Sequence, residues 1–168
     1  RLYPGGVAGD DSDVVRKMRL GTLDGGLLTA VGFSDIDRSV FALNIPMAYA
    51  SYEEYDAVLD QLAPQLEKMY AEKGFVVLAW ADAGWLHFFT KEPVRTPEDL
   101  KKHKLFVWAG DNPAIELWKA SGFNPVPLPA TEIATALQTG LVTALPTSPQ
   151  AAVVMQWFTA APYMTAVD

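Results

Sequence analysis

The stretch KLFVWAG, residues 104–110, indicates the fold class of this chain. It has no polar side chain between its lysine and its glycine, which predicts a short buried strand. Because side chains alternate across a strand, Leu105 and Val107 face one side, and Phe106 and Trp108 face the other. The question raised by this stretch is what the two aromatic side chains contact at the end of the strand.

Segments of strand and helix alternate on both sides of this stretch. The apolar run FVVLAW at residues 75–80 predicts a buried parallel strand. Further strands are predicted at residues 1–3, 27–31, 124–129 and 142–145. Helices are predicted over residues 10–20, 51–73, 96–101, 111–121, 131–139 and 149–160, where caps, apolar spacing and terminal glycines mark their limits. Pro64 is expected to split or kink the second of them. This alternation predicts an α/β fold with mostly parallel sheets.

Composition limits the class of protein. The chain has 168 residues, half of them apolar and a fifth charged, which indicates a globular protein of one domain or two small ones. Its formal charge of −7 argues against nucleic acid or an anionic membrane as partner, because both need a basic patch. The absence of cysteine excludes disulfides and thiolate chemistry. Because it begins at Arg1 and ends at Asp168, we expect a segment of a longer chain.

The sequence contains few patterns typical of catalytic or metal sites. Residues 5–9 (GGVAG) resemble a phosphate loop, but no Lys-Ser/Thr pair follows, so a turn is favoured. No G-x-S-x-G motif occurs, and His87 and His103 lack the spacing of metal ligands. His87 lies in an apolar setting that favours a structural histidine over a ligand or base. Asp82 either lines a site or caps a turn. We therefore predict no catalytic residue, no metal and no cofactor.

Aromatic residues near strand ends are the clearest candidates for binding. Trp85, Phe106 and Trp108 flank glycine-containing turns, and open α/β sheets bind ligands beyond the carboxyl ends of their strands. Core packing and pocket lining are nearly equal interpretations for these three residues. For Phe88 and Phe89, core packing is favoured.

Several stretches together resemble the extracytoplasmic solute-binding proteins of tripartite ATP-independent periplasmic (TRAP) transporters. The similarity covers nearly the whole chain, and ALQTG in its context is the most specific part. The stretches, in chain order, are YPGG at 3–6, Gly9, RLGTLD at 19–24, IP at 45–46, TPEDLK at 96–101, KLFV at 104–107, NPVPLPATEI at 124–133 and ALQTGLV at 136–142.

The resemblance implies two α/β domains of the periplasmic-binding-protein (type II-like) fold, incomplete at both ends, around a cleft that closes on a small-molecule ligand. Residues 1–84 would form part of the first domain and residues 85–168 part of the second. It also implies a periplasmic location, with a membrane anchor through a missing N-terminus as an option. The permease subunits of a TRAP transporter are the expected partners, and a homodimer is an alternative assembly.

The sequence departs from this family at the ligand site. The resemblance places the carboxylate-binding arginines of acid-binding members at Phe106 and Leu86, where neither side chain can pair with an acid. Residues 142–149 (VTALPTSP) also replace a polar family signature. These departures predict a neutral or hydrophobic ligand in an apolar pocket. The predicted ligand-binding residues are Thr29, Phe33, Met47, Asp82, Trp85, Leu86, Phe106, Trp108, Ala130, Thr147 and Ser148.

The sequence leaves three alternatives open. An organic acid could bind through another cation that replaces the missing arginines. A small-molecule enzyme could use Asp82 and His87 as acid and base, although no spacing demands it. A protein-interaction module that buries the tryptophans in an interface is a third class.

Overall fold

The computed structural model of the protein describes residues 1–165. The chain folds as two compact units, the first spanning Arg1–Ala81 and the second beginning at Asp82. The assignment of residues 1–84 and 85–168 to two domains of the family fold stays a prediction.

The first unit is built from helices. They are α1 (Asp11–Arg19), α2 (Ala30–Ile36), a 3₁₀ helix (Arg38–Asn44) and α3 (Tyr52–Glu72). The predicted N-cap of α3 is confirmed, because the Ser51 hydroxyl oxygen accepts from the Glu54 N–H. The Glu54 carboxylate accepts from the Ala50 N–H at 2.8 Å, one residue before the N-cap amide that a capping box would use.

The prediction was that Pro64 splits or kinks helix α3. The helix runs through Pro64 as one element, so Pro64 does not split it, and a kink stays a prediction. The apolar stripe on either side of the proline packs into the core of the unit, and this packing offsets the lost backbone hydrogen bond. Tyr70 is fully buried on this stripe. Burial, with a smaller contribution from the negative charge of Asp37, raises the pKa of Tyr70 to about 12.

The three strands predicted in the first unit are absent from its described residues. Residues 1–3 are irregular, and Thr29 ends the supposed strand at 27–31 by capping α2 through its hydroxyl. Residues 75–80 are not paired as a strand, because a strand needs a hydrogen-bonded neighbour and the unit is otherwise helical or irregular. Phe75, Val77 and Trp80 pack on the helices, while Leu78 is 92% exposed.

The second unit is a sheet covered by helices, as the predicted α/β class requires. Its strands are β1 (His87–Thr90), β2 (Lys104–Trp108), β3 (Asn124–Leu128), β4 (Ala144–Thr147) and β5 (Tyr163–Thr165). Its helices are α4 (Pro97–Leu100), α5 (Asn112–Ala120), α6 (Ile133–Thr139) and α7 (Pro149–Val154), with 3₁₀ turns at Ala130–Glu132 and Trp157–Thr159. The strand order is β3-β2-β4-β1-β5.

Four of these five strands run in the same direction. β2 is parallel to β3 and β4, and β1 is antiparallel to both β4 and β5, so β1 alone is reversed. Thr90 at the end of β1 and Leu105 near the start of β2 both pair with Ala144. The end of β1 and the start of β2 therefore lie at the same end of the sheet.

The two faces of the sheet bury different halves of the KLFVW stretch. Phe106 packs with Phe89, Leu145 and residues of α6 and α7. Leu105 packs with Ala144 on the other face, against Leu100 of α4 and Trp118 of α5. The alternation predicted from residues 104–108 is thus confirmed.

The final helix is shorter than predicted. Helix α7 ends at Val154, and the chain then turns at Gln156, whose φ of +57° lies in the left-handed region. A residue in this conformation cannot continue a right-handed helix, so the predicted helix over 149–160 is interrupted. Among residues 1–165, none of the helices has the length and apolar character needed to cross a bilayer.

Candidate functional site

One end of the sheet in the second unit gathers most of the predicted binding residues. The parallel strands β2, β3 and β4 all finish there, and the reversed strand β1 starts there. The pairing places Trp108 opposite Leu128 and Thr147 opposite His87, and the β2–β4 register sets Trp108 level with Thr147. We call Leu128, Trp108, Thr147 and His87 the strand-end row.

The strand-end row lies on the face of the sheet that α6 and α7 cover. In each strand, a side chain two positions away from the row, such as Phe106, Leu145 or Phe89, belongs to the core beneath those helices. Residues two apart in a strand share a face. The row is therefore the outermost layer of this core at the end where strands finish, which is where α/β sheets bind ligands.

Four more predicted residues flank the strand-end row. Trp85 and Leu86 directly precede β1, Ala130 begins the 3₁₀ turn after β3, and Ser148 follows β4. Leu86 is 63% exposed, and Ala130 and Trp85 are also exposed. The structure thus brings six predicted residues of the second unit to one end of the sheet: Trp85, Leu86, Trp108, Ala130, Thr147 and Ser148.

Two buried hydroxyl groups follow one another at the end of β4. Thr147 and Ser148 are both buried. The Ser148 hydroxyl oxygen accepts from the Ala151 N–H at 3.2 Å and so caps α7. Its O–H can still donate, because a hydroxyl group is both an acceptor and a donor.

Phe106, one of the two aromatic residues of the KLFVWAG stretch, contacts the core of the second unit. Its side chain is only 1% exposed, and it packs against Ile133 and Leu137 of α6. The ring centroids of Phe106 and Trp108 are 5.1 Å apart at 77°, an edge-to-face contact. This burial favours the core interpretation of Phe106, while Trp108 remains half-buried at the surface of the core. The assignment of Phe106 to a ligand surface stays a prediction.

Asp82 lies in an exposed turn. Its Oδ1 accepts from the Gly84 N–H at 3.0 Å, and Gly84 has a φ of +94°, which favours glycine. The turn-capping interpretation of Asp82 therefore has a direct hydrogen bond in its favour, and a role in binding stays a prediction.

The remaining predicted residues belong to the first unit and have different surroundings. Thr29 is half-buried and its N–H donates to the Asp11 carboxylate at 2.9 Å. Phe33 stacks on Trp80 with ring centroids 5.3 Å apart and forms part of the helical core. Met47 is exposed in a turn with a φ of +58°. Their roles as ligand contacts stay predictions.

His87 carries a feature that the sequence did not reveal. Its Nδ1 is buried, and among the side chains of residues 1–165 it is the one buried nitrogen or oxygen without a hydrogen-bond partner. Buried polar atoms in native proteins are nearly always partnered. The sequence favoured a structural histidine with a satisfied ring, and Nδ1 does not meet that description. The local sequence gives no signal for it, because the partners of a buried ring nitrogen depend on tertiary packing.

The lysines and the arginine of the second unit lie away from the strand-end row. Lys104 begins β2 and donates to the Gly140 carbonyl at 3.2 Å, and the Lys91 N–H donates to Thr143, which precedes β4. Lys102 pairs with Asp99 at 2.8 Å. The connections that lead into the starts of β2 and β3, at the opposite end of the sheet, contain Arg95, Lys101 and Lys119. Among residues 82–165, His87 is therefore the basic side chain at this end of the sheet.

The described residues hold no cluster of three or more His, Asp or Glu side chains that could bind a metal ion. What this end of the sheet offers is hydroxyl groups, one imidazole and aromatic surface. Such groups can bind and orient a small polar molecule.

Comparison with known proteins extends these observations. Residues 1–167 match the family model described as bacterial extracellular solute-binding protein, family 7. An uncharacterised protein of Haemophilus influenzae is 32% identical over 147 residues, which cover 86% of this chain and 44% of that protein. The 2,3-diketo-L-gulonate-binding periplasmic protein YiaO of Escherichia coli is 28% identical over 147 residues, covering 86% of this chain and 44% of its own length.

A solved structure shares the fold. The TRAP periplasmic solute-binding protein from Sulfitobacter sp. NAS-14.1, with bound β-D-galacturonate, superposes with a TM-score of 0.88 at 25% identity. The match covers 98% of this chain and 55% of that one. The chain thus spans about half the length of the relatives it matches. With a family match along nearly all of its residues and a shared α/β fold, this chain belongs to the bacterial extracellular solute-binding protein family 7.

Proposed function

We propose that the protein binds a small organic acid, of the sugar-acid class, and delivers it to a TRAP-type membrane permease. The observation that carries this proposal is the family match over residues 1–167, together with relatives that hold or are named for sugar acids. A periplasmic location accompanies this role in the named relatives. The permease partnership, the predicted homodimer and the predicted membrane anchor remain proposals of the same kind.

The predicted neutral or hydrophobic ligand has no support among these relatives. That prediction rested on Leu86 and Phe106 at positions where the family resemblance implies arginine. In the structure, Phe106 is enclosed by the core, whereas Leu86 is exposed. The residues at the strand ends therefore do not form the apolar pocket that was predicted. We replace the neutral or hydrophobic ligand by the alternative, an organic acid.

The chemistry at the end of the sheet suits a hydroxylated acid. Hydroxyl groups such as those of Thr147 and Ser148 can exchange hydrogen bonds with sugar hydroxyls. Trp85 and Trp108 add aromatic surface against which the apolar face of a sugar ring can pack. This combination provides orientation through few polar contacts and affinity through buried area.

The enzymatic alternative has no support. Relatives in this family are solute-binding proteins, and the Asp82 carboxylate caps a turn as an exposed group. A general acid and base pair would need both groups within reach of one reacting proton.

The first experiment compares an acid with its neutral counterpart. The thermal unfolding temperature of the purified protein is measured with D-galacturonate, D-glucuronate and L-gulonate, and with D-galactose and D-glucose as matched controls that lack the carboxylate. A ligand at 100 times its Kd should stabilise the folded state by about 2.7 kcal/mol. We expect stabilisation by at least one acid and none by the neutral sugars, with Kd values then measured by isothermal titration calorimetry.

Two results would overturn the proposal. Equal stabilisation by D-galactose and D-galacturonate would remove the carboxylate from recognition. Stabilisation by apolar compounds alone would restore the hydrophobic pocket and contradict the sugar-acid class.

A further inference from the structure

Two polar groups of the strand-end row are left without a partner in the protein. The Trp108 indole N–H and the Thr147 hydroxyl form no hydrogen bond with any residue that the structure describes. Neither group is enclosed, because His87 Nδ1 is the one buried side-chain nitrogen or oxygen of residues 1–165 that lacks a partner. Both groups are therefore open to solvent at the surface of the core.

Most of each side chain is nevertheless held by the protein. Thr147 is only 7% exposed, and Trp108 is half-buried, with its ring in edge-to-face contact with the enclosed Phe106. Because threonine is branched at Cβ, its χ1 angle is also restricted. The protein thus fixes two side chains and leaves their polar ends accessible, which reduces the entropy lost when a ligand binds to them.

The sheet brings the two polar groups to the same place. β2 and β4 are parallel neighbours paired through Leu105 and Ala144, and this register sets Trp108 level with Thr147. Neighbouring strands lie about 4.8 Å apart. Both side chains lie on the face of the sheet that α6 and α7 cover, because Trp108 packs on that core and Thr147 is two residues from Leu145. One small group bound at this end of the sheet can therefore reach both.

The chemistry of the pair favours a hydroxyl group as its partner. An indole N–H only donates, whereas a threonine hydroxyl both donates and accepts. A ligand hydroxyl can accept from Trp108 and donate to Thr147, so it satisfies both groups at once.

A carboxylate suits this position less well than a hydroxyl. It would have no Lys or Arg partner, because those side chains of the second unit lie with the opposite ends of the strands. It would also lie near the negative charge of Asp111, which caps α5 and whose N–H donates to the Trp108 carbonyl at 3.2 Å. Like charges repel, so this end of the sheet selects a neutral part of the ligand.

We infer that Trp108 and Thr147 jointly bind one hydroxyl group of the sugar acid, and that they determine specificity for that hydroxyl. The inference rests on the proposed function and adds to it the part of the ligand that this end of the sheet recognises. A ligand that lacks the hydroxyl leaves both polar groups without their partner and binds more weakly.

The test removes each polar group while keeping the shape of its side chain. Trp108→Phe retains an aromatic ring without the N–H, and Thr147→Val retains the branched shape without the hydroxyl. The matched controls are Trp118→Phe, on the opposite face of the sheet, and Thr135→Val, on the exposed side of α6. Affinities for D-galacturonate, D-glucuronate and L-gulonate are measured by calorimetry on the intact protein, and unfolding temperatures verify that each variant is folded.

We expect each single variant to bind the acid about 3- to 10-fold more weakly, the effect of losing one neutral hydrogen bond. The Trp108→Phe/Thr147→Val variant should lose less affinity than the product of the two single effects, because the two residues share one partner. Both control variants should bind within about twofold of the unaltered protein.

Monodeoxy forms of the acid that binds identify the hydroxyl. The unaltered protein should bind the form that lacks the recognised hydroxyl about 10-fold more weakly than the acid itself. The double variant should bind these two compounds equally. A further readout needs no substitution, because the indole ¹H–¹⁵N signal of Trp108 should shift when the acid is added to the unaltered protein, and that of Trp118 should not.

The outcomes separate the two proposals. If an acid binds, and both single variants bind it as well as the unaltered protein with no shift of the Trp108 indole signal, the inference is overturned while the proposed function stands. It is also overturned if the double variant still distinguishes every monodeoxy form from the acid. Should a variant not fold, the indole signal of the unaltered protein decides. If no acid binds, or if neutral sugars bind equally, the proposed function fails and the inference fails with it.

Discussion

Phe106 and Leu86 show how differently two residues of similar predicted role are placed. Both were predicted to line an apolar pocket from the same resemblance. Phe106 is 1% exposed beneath α6 and α7, whereas Leu86 precedes β1 and is mostly exposed. The first residue is thus expected to control stability and the second to have little effect on it.

Replacing Phe106 by alanine should lower the free energy of unfolding of the second unit by about 3–5 kcal/mol, because the truncation leaves a cavity in a closed core. Leu86→Ala should change it by less than about 0.5 kcal/mol. Urea denaturation followed by tryptophan fluorescence measures both. A cost below about 1 kcal/mol for Phe106→Ala would mean that Phe106 lines an open surface instead.

Thr143, the residue before β4, forms hydrogen bonds with the start of β2 and with the residue after β1. Its hydroxyl oxygen accepts from the Lys104 N–H at 2.9 Å and lies 3.1 Å from His103 Nδ1. Its own backbone N–H donates to Lys104, and its carbonyl accepts from the Lys91 N–H. One residue therefore fixes the start of β2 and β4 and the exit from β1, which sets the register that aligns the strand-end row at the opposite end of the sheet.

Thr143→Val removes the hydroxyl while preserving shape, so the Lys104 N–H loses its acceptor. We expect a loss of about 1 kcal/mol in the free energy of unfolding and faster hydrogen exchange at the Lys104 amide. Thr135→Val, on the exposed side of α6, is the matched control and should change stability by less than about 0.5 kcal/mol. Unchanged exchange at Lys104 in Thr143→Val would show that the strand ladder alone holds this register.

At the scale of the whole molecule, each unit contains an ion pair that makes stability depend on pH. In the first unit, Lys73 Nζ lies 2.6 Å from Asp37, and hydrogen bonds from Lys73 and then Ser39 hold the pKa of that carboxyl well below its usual range. In the second, hydrogen bonds from Lys102, Thr96 and the Arg95 N–H lower the pKa of Asp99 to about 2.

A carboxyl group with a lower pKa in the folded state stabilises that state in its ionised form. An aspartate in an unfolded chain has a pKa of about 4. This stabilisation is therefore complete above that pH and is lost as the pH falls toward about 2. We expect the unfolding temperature of the unaltered protein to drop between pH 5 and pH 2. The Lys73→Gln/Lys102→Gln variant should start lower at pH 7 and drop less over the same range.

Differential scanning calorimetry at a series of pH values measures this difference. Added salt should reduce the difference in unfolding temperature between the two proteins. Both lysines are partly exposed, so salt screens their attraction to the aspartates. If the unfolding temperatures of the two proteins fall equally with decreasing pH, neither ion pair contributes to acid unfolding.

The sequence by itself determined what depends on neighbouring residues. The alternation in residues 104–108, the N-cap at Ser51 and the helices before Gly122 and Gly140 were all predictable, because caps, glycines and side-chain periodicity act within a few residues. The stretches shared with solute-binding proteins likewise identified the family before the fold was known.

Only the tertiary structure decided what depends on distant partners. A strand exists through its neighbours, so the apolar run at 75–80 remained unpaired while the less obvious β1 paired with β4 and β5. The reversed direction of β1 placed His87 opposite Thr147, and packing beneath α6 and α7 buried Phe106. Hydrogen-bond pairing between strands and the closure of a core are long-range events, and local sequence patterns do not encode which partner will be found.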